Sequence, residues 1–308
     1  MAYDVLDRNP YLDEIIVSQS RKITYRAKLI QTIRQKSFDL IFDFLGTPGT
    51  ALISFLSGAK YRVGFDLRYR GRLYNFKVNR NGEGPEYVVN SKLRLLNKVG
   101  IEFSELELFF FVPQEAKEKV AFFLIKEGVS NKDLLIVIAP LSRRQARIWG
   151  KEKYAELADR LIAEYKARVI FIWGPGEKEK IEEIVKLMKE QPIISFETSL
   201  KEVAALIKAS DLFVSNDNGP MHIAVAVKVP TLTIYGPSDE RCWCPGGPKH
   251  RAIQAKAECL RCGKRVCEEM ICMKRLDVST ILQAVKKFSQ IISKIKYTDE
   301  KLEYPSGS

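Results

Sequence analysis

From residue 134 onward, short apolar runs alternate with stretches in which apolar residues recur every three or four positions. LLIVIAP (134–140), RVIFIWG (168–174), PIISF (192–196), DLFVS (211–215) and TLTIYG (231–236) read as strands, and the stretches between them predict helices over 151–165, 177–189, 199–208 and 220–227. The strand runs are rich in β-branched residues and lack strict polar alternation, as strands covered on both faces do. An earlier series, DEIIV (13–17), DLIFDF (39–44) and LELFFFV (106–112), alternates with helical patterns over 22–35 and 86–99. Two doubly wound α/β lobes are therefore expected, joined near residues 113–130. The expected divisions are 1–128, 129–276 and a C-terminal 277–308 with an amphipathic helix over 278–295 and a polar tail.

Length agrees, since 308 residues exceed one ordinary core and suit two domains. No apolar run approaches the roughly 20 residues of a membrane-spanning helix, and MAYDVLDRNP has no basic leader or apolar export segment. A cytoplasmic protein is the expectation. The formal net charge of +12 favours an anionic partner, but neither zinc-finger spacing nor an RNP-like strand supports nucleic acid. Much of the charge reads as solvated surface, because Lys and Glu are interspersed throughout.

The densest chemistry lies in SNDNGPMHIAV, where DLFVS ends and a helix begins. Ligands in open parallel sheets sit beyond the carboxyl ends of strands. Pro220 suits the first helical position, so Asn218 or Gly219 is the N-cap, and free amides there suit a phosphate or diphosphate that Gly219 lets approach. Asp217 would repel phosphate yet accept hydrogen bonds from sugar hydroxyls, and His222 is expected to be neutral. The plainer alternative is a well-capped turn. Two other strand ends join it. Ser142, Arg143, Arg144 and Arg147 follow the first strand of this lobe, and Gly174, Gly176 and Glu177 follow the second. The arginines suit a diphosphate, or are simply exposed. Glu177 suits a ribose or base, or merely favours its helix start. Neither GxGxxG nor GxxxxGK[ST] occurs.

Cys259, Cys262, Cys267 and Cys272 follow a C-x₂-C-x₄-C-x₄-C spacing, with Cys242 and Cys244 upstream. Structural zinc, disulfides and buried thiols are all open to them.

NDNGPMHIAVAVKVPTLTIYGPSD closely resembles the D-T/S-G-x-x-H-x-x-A-A…P…[FY]-G-P-[ST]-D signature of glycosyltransferase family 9, the lipopolysaccharide heptosyltransferases. NPYLDEIIV, SGAKYRVGFDLRYRGRLYNFKV, SRRQARIWGKEKYAELADRL, TSLKEVAALIKASDLFVS and CLRCGKRVCEEMICMKRL fall in the family's order. The resemblance implies a GT-B fold: two Rossmann-like doubly wound parallel-sheet lobes with a cleft between them, acceptor-side lobe first, nucleotide-sugar donor lobe second, and a C-terminal helix returning to the first. It implies inverting transfer, with no cofactor required for catalysis, of a heptose from ADP-heptose to a lipopolysaccharide core acceptor. Carried over by motif, Asp217, Asn218, Gly219 and His222 contact donor sugar and diphosphate, Ser142 and Arg147 face the phosphates, and Glu177 and Thr198 lie on the nucleoside side. Arg147 stands where members often have Lys, and Asn218 replaces Thr or Ser.

Family members usually open with a strand and a Gly-Asp loop whose carboxylate is thought to deprotonate the acceptor. The chain begins about one strand-helix-strand unit, roughly 40 residues, inside that pattern, so the family base is expected upstream of Met1. Asp43 is the one substitute named. In the first lobe Lys60, Arg62, Arg68, Arg70 and Arg72 would hold an anionic glycolipid acceptor, or form a solvated basic loop at the inner membrane surface. The competing readings are a catalytically impaired nucleotide-sugar-binding relative or scaffold, and an epimerase or hydrolase of nucleotide sugars.

Overall fold

The computed structural model describes residues 2–18, 22–80, 82, 84–102 and 107–295. Among them the strands are β1 (Leu40–Asp43), β2 (Tyr61–Phe65), β3 (Phe76–Val78), β4 (Leu135–Ala139), β5 (Arg168–Phe171), β6 (Ile193–Ile194), β7 (Leu212–Asn216), β8 (Thr231–Ile234) and β9 (His250–Ile253). The chain divides into two units, Glu14–Leu106 and Met1–Asp13 with Glu107–Ser308.

The smaller unit carries a parallel sheet in the order β1-β2-β3, with Phe42 opposite Val63 and Val63 opposite Phe76. Val63, Phe65 and Leu95 form its buried centre. Helix Pro48–Leu56 starts where the pattern T-P-x-T demands: Thr47 caps it, Thr50 bonds back to Thr47 N–H, and Pro48 needs no donor. Gly64 is required for close approach, because a Cβ there would lie 2.5 Å from the Tyr74 ring.

The larger unit holds six parallel strands ordered β6-β5-β4-β7-β8-β9. Alternate residues feed opposite faces. Ile136, Ile138, Val214 and Leu232 pack with helices Lys151–Tyr165 and Val278–Ile295, while Val137, Phe213 and Tyr235 pack with helices Gln114–Lys126, Leu200–Ala209 and Gly219–Ala226. Both faces being apolar, the strands lack polar alternation.

Three expectations are corrected. Residues 13–17 form no strand; Ile16 and Val17 are exposed and pair with no ladder. Residues 107–112 form no strand either, and Leu106 lies outside the described residues; Phe110 and Val112 are buried against the larger sheet's helices without joining a ladder. The expected joint at 113–130 is mostly helix, Gln114–Lys126, whose Ala116, Val120 and Leu124 form one buried stripe at a period of four. Residues from Glu107 thus belong with the larger sheet, ahead of the division expected at 128. Helix Val278–Ile295 packs on helix Lys151–Tyr165 and on β8, and the expected polar tail lies outside the described residues. Among the described residues no helix is long and apolar enough to cross a membrane.

Candidate functional site

All six strands of the larger sheet point their carboxyl ends to one edge. From β4 the chain runs outward to β5 and β6, then returns to the other side of β4 as β7. That reversal is the topological switch point of an open parallel sheet, the place where ligands bind. The loop after β4 carries Ser142 and Arg147, and the turn after β7 carries Asp217, Asn218 and Gly219.

These residues meet. Arg147 Nη1 lies 2.8 Å from Asp217 Oδ2 and donates to the Asp217 carbonyl at 3.2 Å. Asp217 is 3% exposed, and its Oδ2 has no aligned hydrogen-bond donor among the described residues, while the buried Arg147 Nε–H has no acceptor among them. Burial lowers the Arg147 guanidinium's proton affinity, and Asp217 counters it. Asn218 is the N-cap of helix Gly219–Ala226: its Oδ1 accepts from Met221 N at 3.3 Å, and its Nδ2 donates to Ala139 O (3.3 Å) and Leu141 O (3.1 Å). The capping amide thus ties the two turns of the switch point together. Pro220 brings no N–H and Met221's is taken, so this helix start offers an anion fewer amides than the sequence suggested. Space remains, since a Cβ on Gly219 would meet nothing within 4 Å. His222, in the first turn, is held neutral by burial, with Arg147 adding to that and Asp217 opposing it. Ser142 Oγ accepts from Arg144 N at 3.4 Å.

The sequence pattern of glycosyltransferase family 9 (heptosyltransferase) matches residues 26–272. The chain belongs to glycosyltransferase family 9. It is similar to the lipooligosaccharide heptosyltransferase 2 of Campylobacter jejuni subsp. jejuni serotype O:6, 25% identical over 287 residues, 89% of this chain and 83% of that one. The structure of E. coli ADP-heptose LPS heptosyltransferase II superimposes with a TM-score of 0.73 at 22% identity, covering 96% of this chain and 88% of that one. E. coli heptosyltransferase WaaC with ADP-2-deoxy-2-fluoro heptose gives 0.63 at 19%, covering 86% and 76%. These likenesses carry the GT-B fold of two Rossmann-like parallel-sheet lobes.

On the β5 and β6 side of this family 9 sheet, Glu177 Oε2 accepts from Gly174 N at 3.0 Å, a bond within its own turn. Thr198 follows β6 with a buried Oγ1 that lacks a partner among the described residues. In the smaller unit the four arginines part company. Arg62 is spent on backbone, donating to Ala59 O (2.7 Å) and Leu73 O (3.2 Å), and Arg70 donates to Gly46 O at 2.9 Å. Arg68 and Arg72 are exposed. Asp43, the substitute base named from the sequence, has both oxygens engaged: Oδ1 accepts from Leu45 N and Gly46 N, Oδ2 accepts from Tyr74 OH at 2.7 Å, and the residue is 5% exposed.

Cys259, Cys262, Cys267 and Cys272 line one cavity with Ala146 and Pro237. All are free thiols, and burial, then Cys259 and Cys262, push Cys272 up to about 11. Among the described residues no three His, Cys, Asp or Glu are placed to hold a metal. The segment is stitched to the site on two sides. Ala146 N donates to Arg265 O and Cys267 N to Gln145 Oε1, while Arg261 N and Gly263 N donate to Gly236 O and Pro237 O. It therefore braces the Arg147 loop and the turn after β8.

Sequence reasoning missed Trp243, on the short helix Glu240–Trp243 after β8. Its ring centroid lies 6.1 Å from that of His222, tilted by 62°. The only signal was an aromatic within RCWCPGG, a stretch read for its cysteines.

Proposed function

We propose that this chain transfers a heptose from ADP-heptose to an anionic sugar of the lipopolysaccharide core, with inversion at the anomeric carbon. The observation that carries the reading is the Arg147–Asp217 pair, its carboxylate buried, at the switch point of a family 9 chain. Arg147 and the start of helix Gly219–Ala226 meet the diphosphate, and Gly219 leaves it room. The carboxylate of Asp217 accepts sugar hydroxyls, and neutral His222 adds a hydrogen bond without placing a cation at a helix N-terminus. ADP is the leaving group, and its developing charge falls on Arg147 and the helix amides. Ser142 serves the phosphates, Glu177 and Thr198 the nucleoside, with Thr198 Oγ1 supported by its lack of a protein partner among the described residues.

Direct displacement of this kind routes no step through a metal. The cysteine segment braces the Arg147 loop through its backbone hydrogen bonds, and a structural zinc on Cys259, Cys262, Cys267 and Cys272 would require the thiols to draw together, since among the described residues no three such groups are placed to hold a metal. Arg68 and Arg72, exposed in the smaller unit, are the acceptor-side cations best able to meet a phosphorylated or carboxylated sugar. A nucleotide-sugar donor fits a cytoplasmic enzyme working at the membrane face when its acceptor is lipid-borne.

The test is incubation of the purified chain with ADP-heptose and a lipopolysaccharide-core acceptor, with mass spectrometry of the products and NMR of the new linkage. Heptosylated acceptor with inverted configuration is expected. Release of free heptose and ADP alone would identify a hydrolase. Binding of ADP-heptose without turnover would identify the impaired relative.

A further inference from the structure

Three tryptophans stand in the chain, and two are structural. Trp149 is 3% exposed and donates its indole N–H to Leu276 O at 2.9 Å; Trp173 donates to Ser195 O at 2.9 Å. Trp243 differs. It is 39% exposed, and among the described residues its aromatic contact is the one with His222, tilted by 62° rather than stacked. Its short helix is firmly held. Asp239 caps it through Arg241 N, and Glu240 accepts from Gln254 Nε2 and Arg261 Nε, each at 2.9 Å. A half-exposed aromatic on a rigid mount, beside the switch point, resembles a binding surface more than a core residue.

Sheet order decides which part of a ligand it would meet. Arg147 and Asp217 follow β4 and β7, at the centre; Glu177 and Thr198 follow β5 and β6, on one side; Trp243 follows β8, on the other. A nucleoside diphosphate sugar whose diphosphate sits at the centre and whose nucleoside lies toward β5 and β6 extends its sugar toward β8. His222 links the two regions, since it feels the charges of both Asp217 and Arg147 and touches the Trp243 ring.

We infer that Trp243 is the stacking platform for the donor's sugar ring, taking the apolar C–H face of the pyranose while Asp217 accepts from its hydroxyls. This rests on the donor reading proposed above and adds a sugar-specific contact to it.

Calorimetric titration of the full chain with ADP-heptose and with ADP, for wild type, Trp243→Ala and Trp243→Phe, tests it. Trp243→Ala is expected to weaken ADP-heptose about tenfold while changing ADP less than about twofold, and Trp243→Phe to retain most of the affinity. Fluorescence gives a second reading: ADP-heptose quenches wild type more than ADP does, and the difference vanishes in Trp243→Phe. Equal losses for both ligands, no loss for either, or a sugar-dependent quench that survives in Trp243→Phe overturns the inference and leaves the donor reading standing. A wild-type chain that binds neither ligand overturns the donor reading and the inference with it. Should Trp243→Ala fail to fold, the Trp243→Phe fluorescence decides.

Discussion

Arg147 meets Asp217 twice, with Nη1 2.8 Å from the carboxylate and bonded at 3.2 Å to the same residue's carbonyl oxygen. The cation proposed for the diphosphate is thus already neutralised, and a bound anion competes with Asp217 for it. Asp217→Asn removes the competitor and its repulsion but also the strongest acceptor for sugar hydroxyls. The expected outcome is ADP bound about threefold tighter and ADP-heptose about tenfold weaker, read by calorimetry. Equal weakening of both ligands would remove Asp217 from the sugar. Arg147→Ala should lower stability by about 3 kcal/mol in denaturant titration, since it strands a buried carboxylate.

Asn218 has a job that its motif position does not announce. One side chain caps helix Gly219–Ala226 and bonds two carbonyls, Ala139 O and Leu141 O, of the turn after β4. Asn218→Ser keeps a capping oxygen and loses the bridge; Asn218→Asp keeps the cap and turns a carboxylate toward two carbonyl oxygens. Thermal melts should therefore rank wild type above Asn218→Ser and Asn218→Ser above Asn218→Asp, with about 1–2 kcal/mol lost in the latter. An Asn218→Asp variant as stable as wild type would mean that the bridge contributes nothing.

Legibility in the sequence followed burial. The helix expected over 151–165 is Lys151–Tyr165, the central strands β4 and β8 fall inside their expected runs and β7 overruns its own by one residue, Asn216, because both faces of that sheet are apolar and the pattern has one solution. Helix Gln114–Lys126 escaped because Glu115, Lys117, Glu118 and Lys119 surround its stripe of small and branched residues. The short strand β2 is buried only at Val63, Gly64 and Phe65, and its opening Tyr61 and Arg62 read as part of a basic loop. At the site, the residue types were readable and their pairing was not. Arg147 and Asp217 lie far apart in sequence, and only the crossing from β6 back past β4 brings them together.

Gly236 supports the cysteine-segment brace through lack of volume rather than through flexibility. A Cβ there would lie 2.6 Å from Met273 Sδ and 2.8 Å from the buried Cys272 Sγ, directly after β8. Gly236→Ala must push the cysteine segment outward, and the Arg261 N–H bond to Gly236 O goes with it. A loss of about 1–3 kcal/mol is expected, together with faster labelling of Cys272 by a thiol reagent. Unchanged labelling would show that Met273 alone yields and the brace stays seated.

Acid should loosen the far edge of the larger sheet. His250 opens β9, lies 3.1 Å through Nδ1 from Thr231 Oγ1, and has its pKa lowered from 6.5 to about 4 by burial, with Lys249 adding to it. The folded state therefore holds His250 neutral while the unfolded chain takes up a proton below 6.5. More protons on the unfolded side means that stability rises with pH across this window, being fully present above 6.5 and lost as pH falls toward about 4. His222 shifts in the same direction, so the wild-type melting temperature should fall over that window. His250→Gln keeps a polar group near Thr231 but cannot titrate. Its melting temperature should be lower than wild type near neutrality and depend less on pH, and a pH slope equal to that of wild type would remove His250 as the source.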